Sequence, residues 1–239
     1  MKIITVKTYD EMSKLAAKMI AEQIKSKPNS VLGLSTGATP IGTYEKLVKM
    51  HKKGDVDFSR ISTFNLDEYC GLERTHPQSY YHFMTEKLFS FVFNANIKNE
   101  NINFLNGAAA DPEKECKAYE KLITSKGGID LQLLGVGTNG HIGFNEPDDV
   151  FHNKTRYVEL AQSTIESNAH FFDDAGDVPK TALSMGIGTI MAAKKIILIA
   201  SANKSHVIDK LKKETVVSPQ FPVSILQYHP DCTIIHSSS

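Results

Sequence analysis

Asp130-Leu131-Gln132-Leu133-Leu134-Gly135-Val136-Gly137-Thr138-Asn139-Gly140-His141-Ile142-Gly143-Phe144-Asn145-Glu146-Pro147 is the stretch on which the fold turns. Its first half is a short apolar run of the kind that fills a strand buried on both faces. Its second half abruptly loses all periodicity and collects Gly, Asn and Pro. We therefore read residues 137–156 as a loop that leaves the carboxyl end of an interior strand.

Working outward, the same grammar repeats. Apolar runs at Ile3–Val6, Val31–Leu34, Ile61–Leu66, Ile102–Leu105, Ile196–Ala200 and Thr233–His236 read as strands. The run at Ile61–Leu66 ends in Asp67-Glu68-Tyr69. Helices are predicted over Asp10–Lys25, from Pro40 onward, over Ser79–Phe93, Asp111–Ser125, Ser163–Phe171 and Lys180–Met191, and from Ala202 to Lys213. Asp10 is a candidate N-cap for the first of them and Pro28 its stop. Continuous apolar strands alternating with amphipathic helices predict one α/β domain over residues 1–239. Its core is a single doubly wound, Rossmann-like and mainly parallel sheet with helices on both faces. Such sheets bind ligands outside the carboxyl ends of their strands.

Composition narrows the partners. The 239 residues carry 27 basic and 27 acidic side chains, so the formal net charge is zero. A polybasic nucleic-acid or membrane binder is excluded as the default reading. At 41% hydrophobic and 23% charged, the chain is an ordinary globular one. No apolar run reaches the 18 residues of a membrane span. Met1–Lys7 reads as a strand and not as a signal peptide. Three cysteines, Cys70, Cys116 and Cys232, show no CxxC and no zinc spacing. The expectation is a cytoplasmic protein with free thiols and no metal.

Four strand ends carry chemistry. After Val31–Leu34 comes Ser35-Thr36-Gly37-Ala38-Thr39-Pro40 and then a helix. Turn N–H groups at a helix N-terminus make an anion site, although a plain strand-to-helix turn reads the same way. Without a Gly-Lys-Ser/Thr ending it is not a Walker A loop. Asp67 and Glu68 offer a candidate general base, or a helix cap. Gly135 to Gly140 matches GxGxxG, with Glu159 about 20 residues on. That match should open a helix, and the residues after it lack the period of one. The alternative is a loop that brings His141 and Glu146 to the sheet edge, where a histidine titrates near neutral pH. Finally, Lys204 stands at a helix start after Ile196–Ala200, where it meets a bound phosphate or merely solvent. Together these suggest acid/base chemistry on a small phosphorylated metabolite.

With these residues in view, the chain resembles the deaminase branch of the glucosamine/galactosamine-6-phosphate isomerase family. Ser35–Pro40, Phe64–Tyr69, His76–Tyr80, Gly135–Pro147 and Asp177–Lys180 occur in the family's order. The resemblance implies that glucosamine 6-phosphate and water become fructose 6-phosphate and ammonia, with no metal or redox cofactor. It implies that His141 is the ring-opening acid/base and Glu146 its partner. Asp67 would move a proton between C2 and C1. Thr36, Gly37, Ala38, Thr39 and Lys204 would hold the phosphate. Three positions depart from the family pattern. Asn139 stands where some members have Asp, which implies a positioning role. His170 stands where an Arg usually meets the phosphate, which implies a weaker, non-bidentate contact. Ala38 replaces a common Gly. The positions of the family's allosteric effector set hold Asp149, Val158 and Glu159, which implies a non-allosteric enzyme. A 6-phosphogluconolactone hydrolase, a sugar-phosphate sensor and a dehydrogenase are the rivals. Asn145-Glu146-Pro147 and Asp67-Glu68-Tyr69 speak against the first, and a sensor has no use for Asp67.

Overall fold

The computed structural model describes residues 1–93, 97–169, 172 and 174–239. In chain order, strand Lys2–Val6 (β1) leads to helix Tyr9–Ser26 (α1), strand Val31–Leu34 (β2) and helix Ile41–Lys52 (α2). Strands Ser62–Asn65 (β3) and Asp67–Tyr69 (β4) come after it. Helix Tyr80–Met84 (α3) continues through a π-helical turn, Thr85–Phe89, into Ser90–Phe93 (α4). Strand Ile102–Asn103 (β5), helix Pro112–Ser125 (α5) and strand Leu131–Leu134 (β6) come next. Strand Arg156–Glu159 (β7) and helix Gln162–Asn168 (α6) precede strand Thr181–Ser184 (β8) and helix Ile187–Met191 (α7). Strand Ile196–Ala200 (β9), helix Ser205–Lys213 (α8) and strand Cys232–Ser237 (β10) complete the chain.

Seven strands form one sheet in the order β1-β10-β9-β6-β2-β3-β5, and every pair in it is parallel. Residue alternation divides its side chains between two cores. Ile197, Ile199 and Ile235 face the core built with α1 and α2, which bury Met12, Ile20, Tyr44 and Leu47. Ile196, Leu198 and Ile234 face the opposite core with Tyr119, Ile190, Val207 and Leu211 from α5, α7 and α8. Both faces are covered, which is why these strands are apolar without alternation. Each fully buried Ile or Leu contributes about 1.5–3 kcal/mol.

Local chemistry starts the helices. Thr8, not Asp10, is the N-cap of α1: its hydroxyl accepts from the Glu11 N–H at 3.2 Å, while the Glu11 carboxylate accepts from the Thr8 N–H at 3.3 Å. Thr followed three residues later by Glu is the reciprocal capping pattern, and it outcompetes a lone Asp in the first turn. Asp111 caps α5 ahead of Pro112, as its sequence predicts.

A second sheet, which periodicity does not predict, stands beside the first. β4, β8 and β7 form a three-stranded antiparallel sheet, with Asp67 opposite Ser184 and Arg156 also opposite Ser184. The predicted helix over Lys180–Met191 is thus a strand followed by a short helix. Thr181-Ala182-Leu183-Ser184 is too short for periodicity to separate the two states, and pairing on both sides decides for the strand. Leu66 is the pivot between the sheets. Its N–H bonds to the Leu34 carbonyl at 2.8 Å, and its own carbonyl accepts from Met185 N–H at 2.9 Å. The predicted strand Ile61–Leu66 therefore ends in one sheet and hands Asp67 to the other.

Candidate active site

The four strand ends singled out by the sequence belong to β9, β6, β2 and β3, which are consecutive neighbours in the sheet. At about 4.8 Å per strand, their carboxyl ends span roughly 14 Å. The strand order reverses between β6 and β2, since β3 lies on the far side of β2 from β6. A crevice at such a switch point is where doubly wound sheets place ligands.

On the β2 side of this switch point lies the turn at residues 35–40. Thr36 and Thr39 are half-buried, and Gly37 and Ala38 are exposed, with Gly37 at φ +94°. Among the described residues, the N–H groups of Thr36, Gly37, Ala38 and Thr39 donate to no protein acceptor. Their donors, with the start of α2 just beyond, create a positive local potential without any charged side chain. Beneath the turn, the buried Tyr44 hydroxyl donates to the Ser35 carbonyl at 2.5 Å.

At the end of β9, Lys204 closes a 3-10 turn before α8. It is half-buried, burial holds its pKa below the usual lysine range, and no salt bridge to it exists among the described residues. A cation kept partly out of water without a counter-ion favours an incoming anion.

From the end of β6, the loop to Pro147 folds back on itself. Gly137 N–H donates to the His141 carbonyl at 2.9 Å, and Gly140 N–H to the Gly137 carbonyl at 3.1 Å. The imidazole of His141 lies directly over the Cα of Gly137: a Cβ there would sit 2.1 Å from His141 Cε1. No helix opens here, so the GxGxxG match lacks the context a dinucleotide requires. Glu159, the acidic residue that match would need, is an exposed member of β7 paired with Thr181.

The loop gathers a network around Glu146. Asn139 Nδ2 donates to Glu146 Oε2 at 2.6 Å, and Thr164 Oγ1 of α6 donates to Oε1 at 2.5 Å. Asn139 Oδ1 accepts from the His141 backbone N–H at 3.1 Å. His141 Nδ1 lies 3.2 Å from Glu146 Oε2. That approach is a close contact and not an aligned hydrogen bond, since Nδ1 is buried without a well-directed partner. Burial alone would raise the Glu146 carboxyl, but the His141 contact and the Thr164 and Asn139 donors outweigh it and bring the pKa down to about 2. Glu146 is a fixed anion beside an imidazole. Asn145 anchors the loop: its Nδ2 donates to the carbonyls of Ile142 and Met185, and its Oδ1 accepts from Arg156 of β7 at 3.0 Å.

The two adjacent carboxyls at the end of β3 have different fates. Glu68 accepts three backbone N–H bonds at 2.8–2.9 Å, from Tyr69, Tyr80 and Tyr81, and so receives the start of α3. Burial pushes it up to about 7 against those donors. Asp67 is 5% exposed, and its carboxylate accepts no hydrogen bond among the described residues. Burial and then the neighbouring Glu68 push it up to about 8. A buried carboxyl free of hydrogen bonds at a strand end is suited to proton transfer near neutral pH.

Asp67, Asn139, His141, Glu146, the 36–39 turn and Lys204 thus sit on neighbouring strand ends. His170 lies outside the described residues. Thr164 is the member that sequence reasoning does not reveal. It lies 18 residues from Glu146, and nothing in its local pattern marks it. Among the described residues, no group of three His, Cys, Asp or Glu side chains could hold a metal ion.

Known proteins share the fold, and some of them much of the sequence, of this chain. The family described as glucosamine-6-phosphate isomerases/6-phosphogluconolactonase matches residues 6–235. A glucosamine-6-phosphate deaminase of Clostridium acetobutylicum is 54% identical over 236 residues, covering 98% of this chain and 96% of the relative. One from Lysinibacillus sphaericus is 52% identical, and both chains are covered in full. A solved monomeric glucosamine-6-phosphate deaminase superposes with a TM-score of 0.95 at 43% identity, covering 99% of this chain and 97% of the other. The 6-phosphogluconolactonase of Thermotoga maritima shares the fold, at a TM-score of 0.76 and 18% identity.

Proposed function

Because the chain belongs to the family of glucosamine-6-phosphate isomerases and 6-phosphogluconolactonases, we propose that it converts glucosamine 6-phosphate and water to fructose 6-phosphate and ammonia. The observation that supports this reading is the adjacency of β9, β6, β2 and β3, after whose carboxyl ends come the 36–39 turn, Lys204, the His141–Glu146 pair and the buried Asp67.

The phosphate binds the N–H groups of residues 36–39 and the Lys204 ammonium, and His170 is assigned to the same phosphate on the resemblance alone. Binding energy at this remote group holds the reacting carbons in place. His141 passes a proton between the pyranose ring oxygen and O1, which opens the ring. Glu146, an anion throughout, stabilises the imidazolium that forms. Asn139 orients both: it cannot take a proton, and its amide bridges the Glu146 carboxylate and the His141 backbone. Asp67 then removes the proton from C2 and returns it at C1, while a proton passes from the amino nitrogen to O1, so that the enolamine becomes a C1 alcohol with a C2 imine. Water adds at C2, and ammonia leaves as the C2 carbonyl forms; no oxidant is required.

Release of ammonia and fructose 6-phosphate from glucosamine 6-phosphate tests the reading, with Asp67→Asn as control. Wild type without ammonia release, or a variant as active as wild type, would refute it. Regulation by N-acetylglucosamine 6-phosphate is not expected. Asp149 and Glu159 are exposed acids, and Val158 is buried in the small apolar cluster under β7. Saturation should be hyperbolic with or without that compound. Among the described residues no helix is long and apolar enough to cross a membrane. The free cysteines fit a reducing compartment, and we assign the chain to the cytoplasm.

A further inference from the structure

We propose that Tyr9, on the first turn of α1, is the positioning residue of the phosphate turn. This rests on the reading of residues 36–39 as the phosphate anchor. Helices α1, α3 and α5 are each capped by a side chain, from Thr8, Ser79 and Asp111. Helix α2 is not: Pro40 stands at its N-cap and offers no side-chain acceptor. The Tyr9 hydroxyl supplies one from another helix. It accepts from the Gly42 N–H at 2.8 Å, and its single proton is shared between the carbonyls of Thr39 at 3.0 Å and Ala38 at 3.2 Å. One oxygen therefore ties both sides of the turn to α1.

This arrangement suits an anion better than an ordinary cap. A Ser, Thr or Asp at the N-cap would occupy donors of the first turn, and an Asp would also repel a phosphate. Tyr9 takes only the Gly42 donor and brings no charge, and it also fixes the Ala38 and Thr39 carbonyls, which a side chain at position 40 would not reach. In a trans peptide the C=O and the following N–H point in opposite directions. Fixing the Ala38 carbonyl toward Tyr9 thus aims the Thr39 N–H away from α1. The close approach also explains the glycine at 42. A Cβ there would lie 2.8 Å from Tyr9 Cε1 and 2.4 Å from Ser13 Oγ, so any larger residue would push the two helices apart.

The variant Tyr9→Phe keeps the ring that packs beside Gly42 and removes only the hydroxyl. We expect KM for glucosamine 6-phosphate to rise roughly three- to tenfold, the weight of one or two neutral hydrogen bonds. The inhibition constant for inorganic phosphate should rise in parallel, with kcat within about twofold of wild type. Lys204→Met, measured beside it, separates the premises. If Lys204→Met weakens phosphate inhibition and Tyr9→Phe does not, Tyr9 does not position the turn, although the site stands. If neither variant changes phosphate inhibition, the phosphate binds elsewhere and the proposal falls with the anchor. A lowered melting temperature in Tyr9→Phe with wild-type KM and phosphate inhibition would reduce the hydroxyl to a structural cap and overturn the proposal.

Discussion

Gly137 and Asp67 show how single residues meet the demands of the site. At Gly137 the hydrogen atom is the only substituent that leaves room for the His141 ring. Gly137→Ala should fold and yet turn the imidazole aside. Because a misplacement of about 1 Å can cost around a hundredfold in rate, we expect a kcat loss of that order with a melting temperature near wild type. Wild-type turnover would show that the ring does not need its place over Gly137. At Asp67 the cost of burial is thermodynamic. Its folded pKa, about 8, lies above the ordinary carboxylate value of 3.8, so the folded state holds this proton more tightly than the unfolded one. The associated stability is complete below about pH 4 and is lost as pH rises through 8. Asp67→Asn removes that loss. Its melting temperature should match wild type near pH 4 and exceed it at pH 9 by a few degrees, for a penalty of about 1–3 kcal/mol. A difference that stays constant with pH would contradict the argument.

Among the elements, the small antiparallel sheet carries Asp67, and it depends on a knot outside itself. Glu120 of α5 accepts from the N–H of Thr155 at 2.8 Å, the hydroxyl of Thr155 at 2.6 Å and the hydroxyl of Thr189 at 2.5 Å. It thereby fastens the segment before β7, and α7, to the helix behind them. Burial of Glu120 works against its charge, but these donors prevail and hold its pKa below the ordinary value of 4.5. A depressed carboxyl contributes its stability above the unfolded pKa and loses it as pH falls. Glu120→Ala should therefore destabilise the protein by about 2–3 kcal/mol at pH 7 and by less at pH 4, read by urea unfolding. An equal loss at both values would assign the effect to packing alone. The strands of this sheet are also the elements least legible in the sequence. β4 and β8 are three and four residues long, and they pair with each other across more than 100 residues of chain.

Across the whole molecule, a net charge of zero means that no overall field draws a dianionic substrate in. The positive potential comes from one turn, one helix start and Lys204. We expect kcat/KM to vary less than about threefold between 50 and 300 mM KCl, because screening acts mainly on long-range fields. A steep fall with salt would mean that charges outside the crevice steer the substrate.

The sequence alone determined the central architecture and most of the candidate site. Buried strands announce themselves by unbroken apolar runs, and ligands of such sheets lie at strand ends. Asp67, His141, Glu146, the 36–39 turn and Lys204 are therefore all legible as residues that come soon after a strand. The residues that support them are beyond its reach. Thr164 reaches Glu146, Tyr9 ties down the 36–39 turn and Leu66 hands Asp67 from one sheet to the other, and each acts through a contact between segments far apart in the chain. Local pattern records what a residue does for its own helix or strand. Which hydroxyl meets which carboxylate, and which of two adjacent carboxyls is capped and which is left bare, depends on packing between elements. Glu68 meets the N–H groups of α3 and Asp67 does not. That difference, made only when the chain is folded, separates a hydrogen-bonded carboxylate from a bare one.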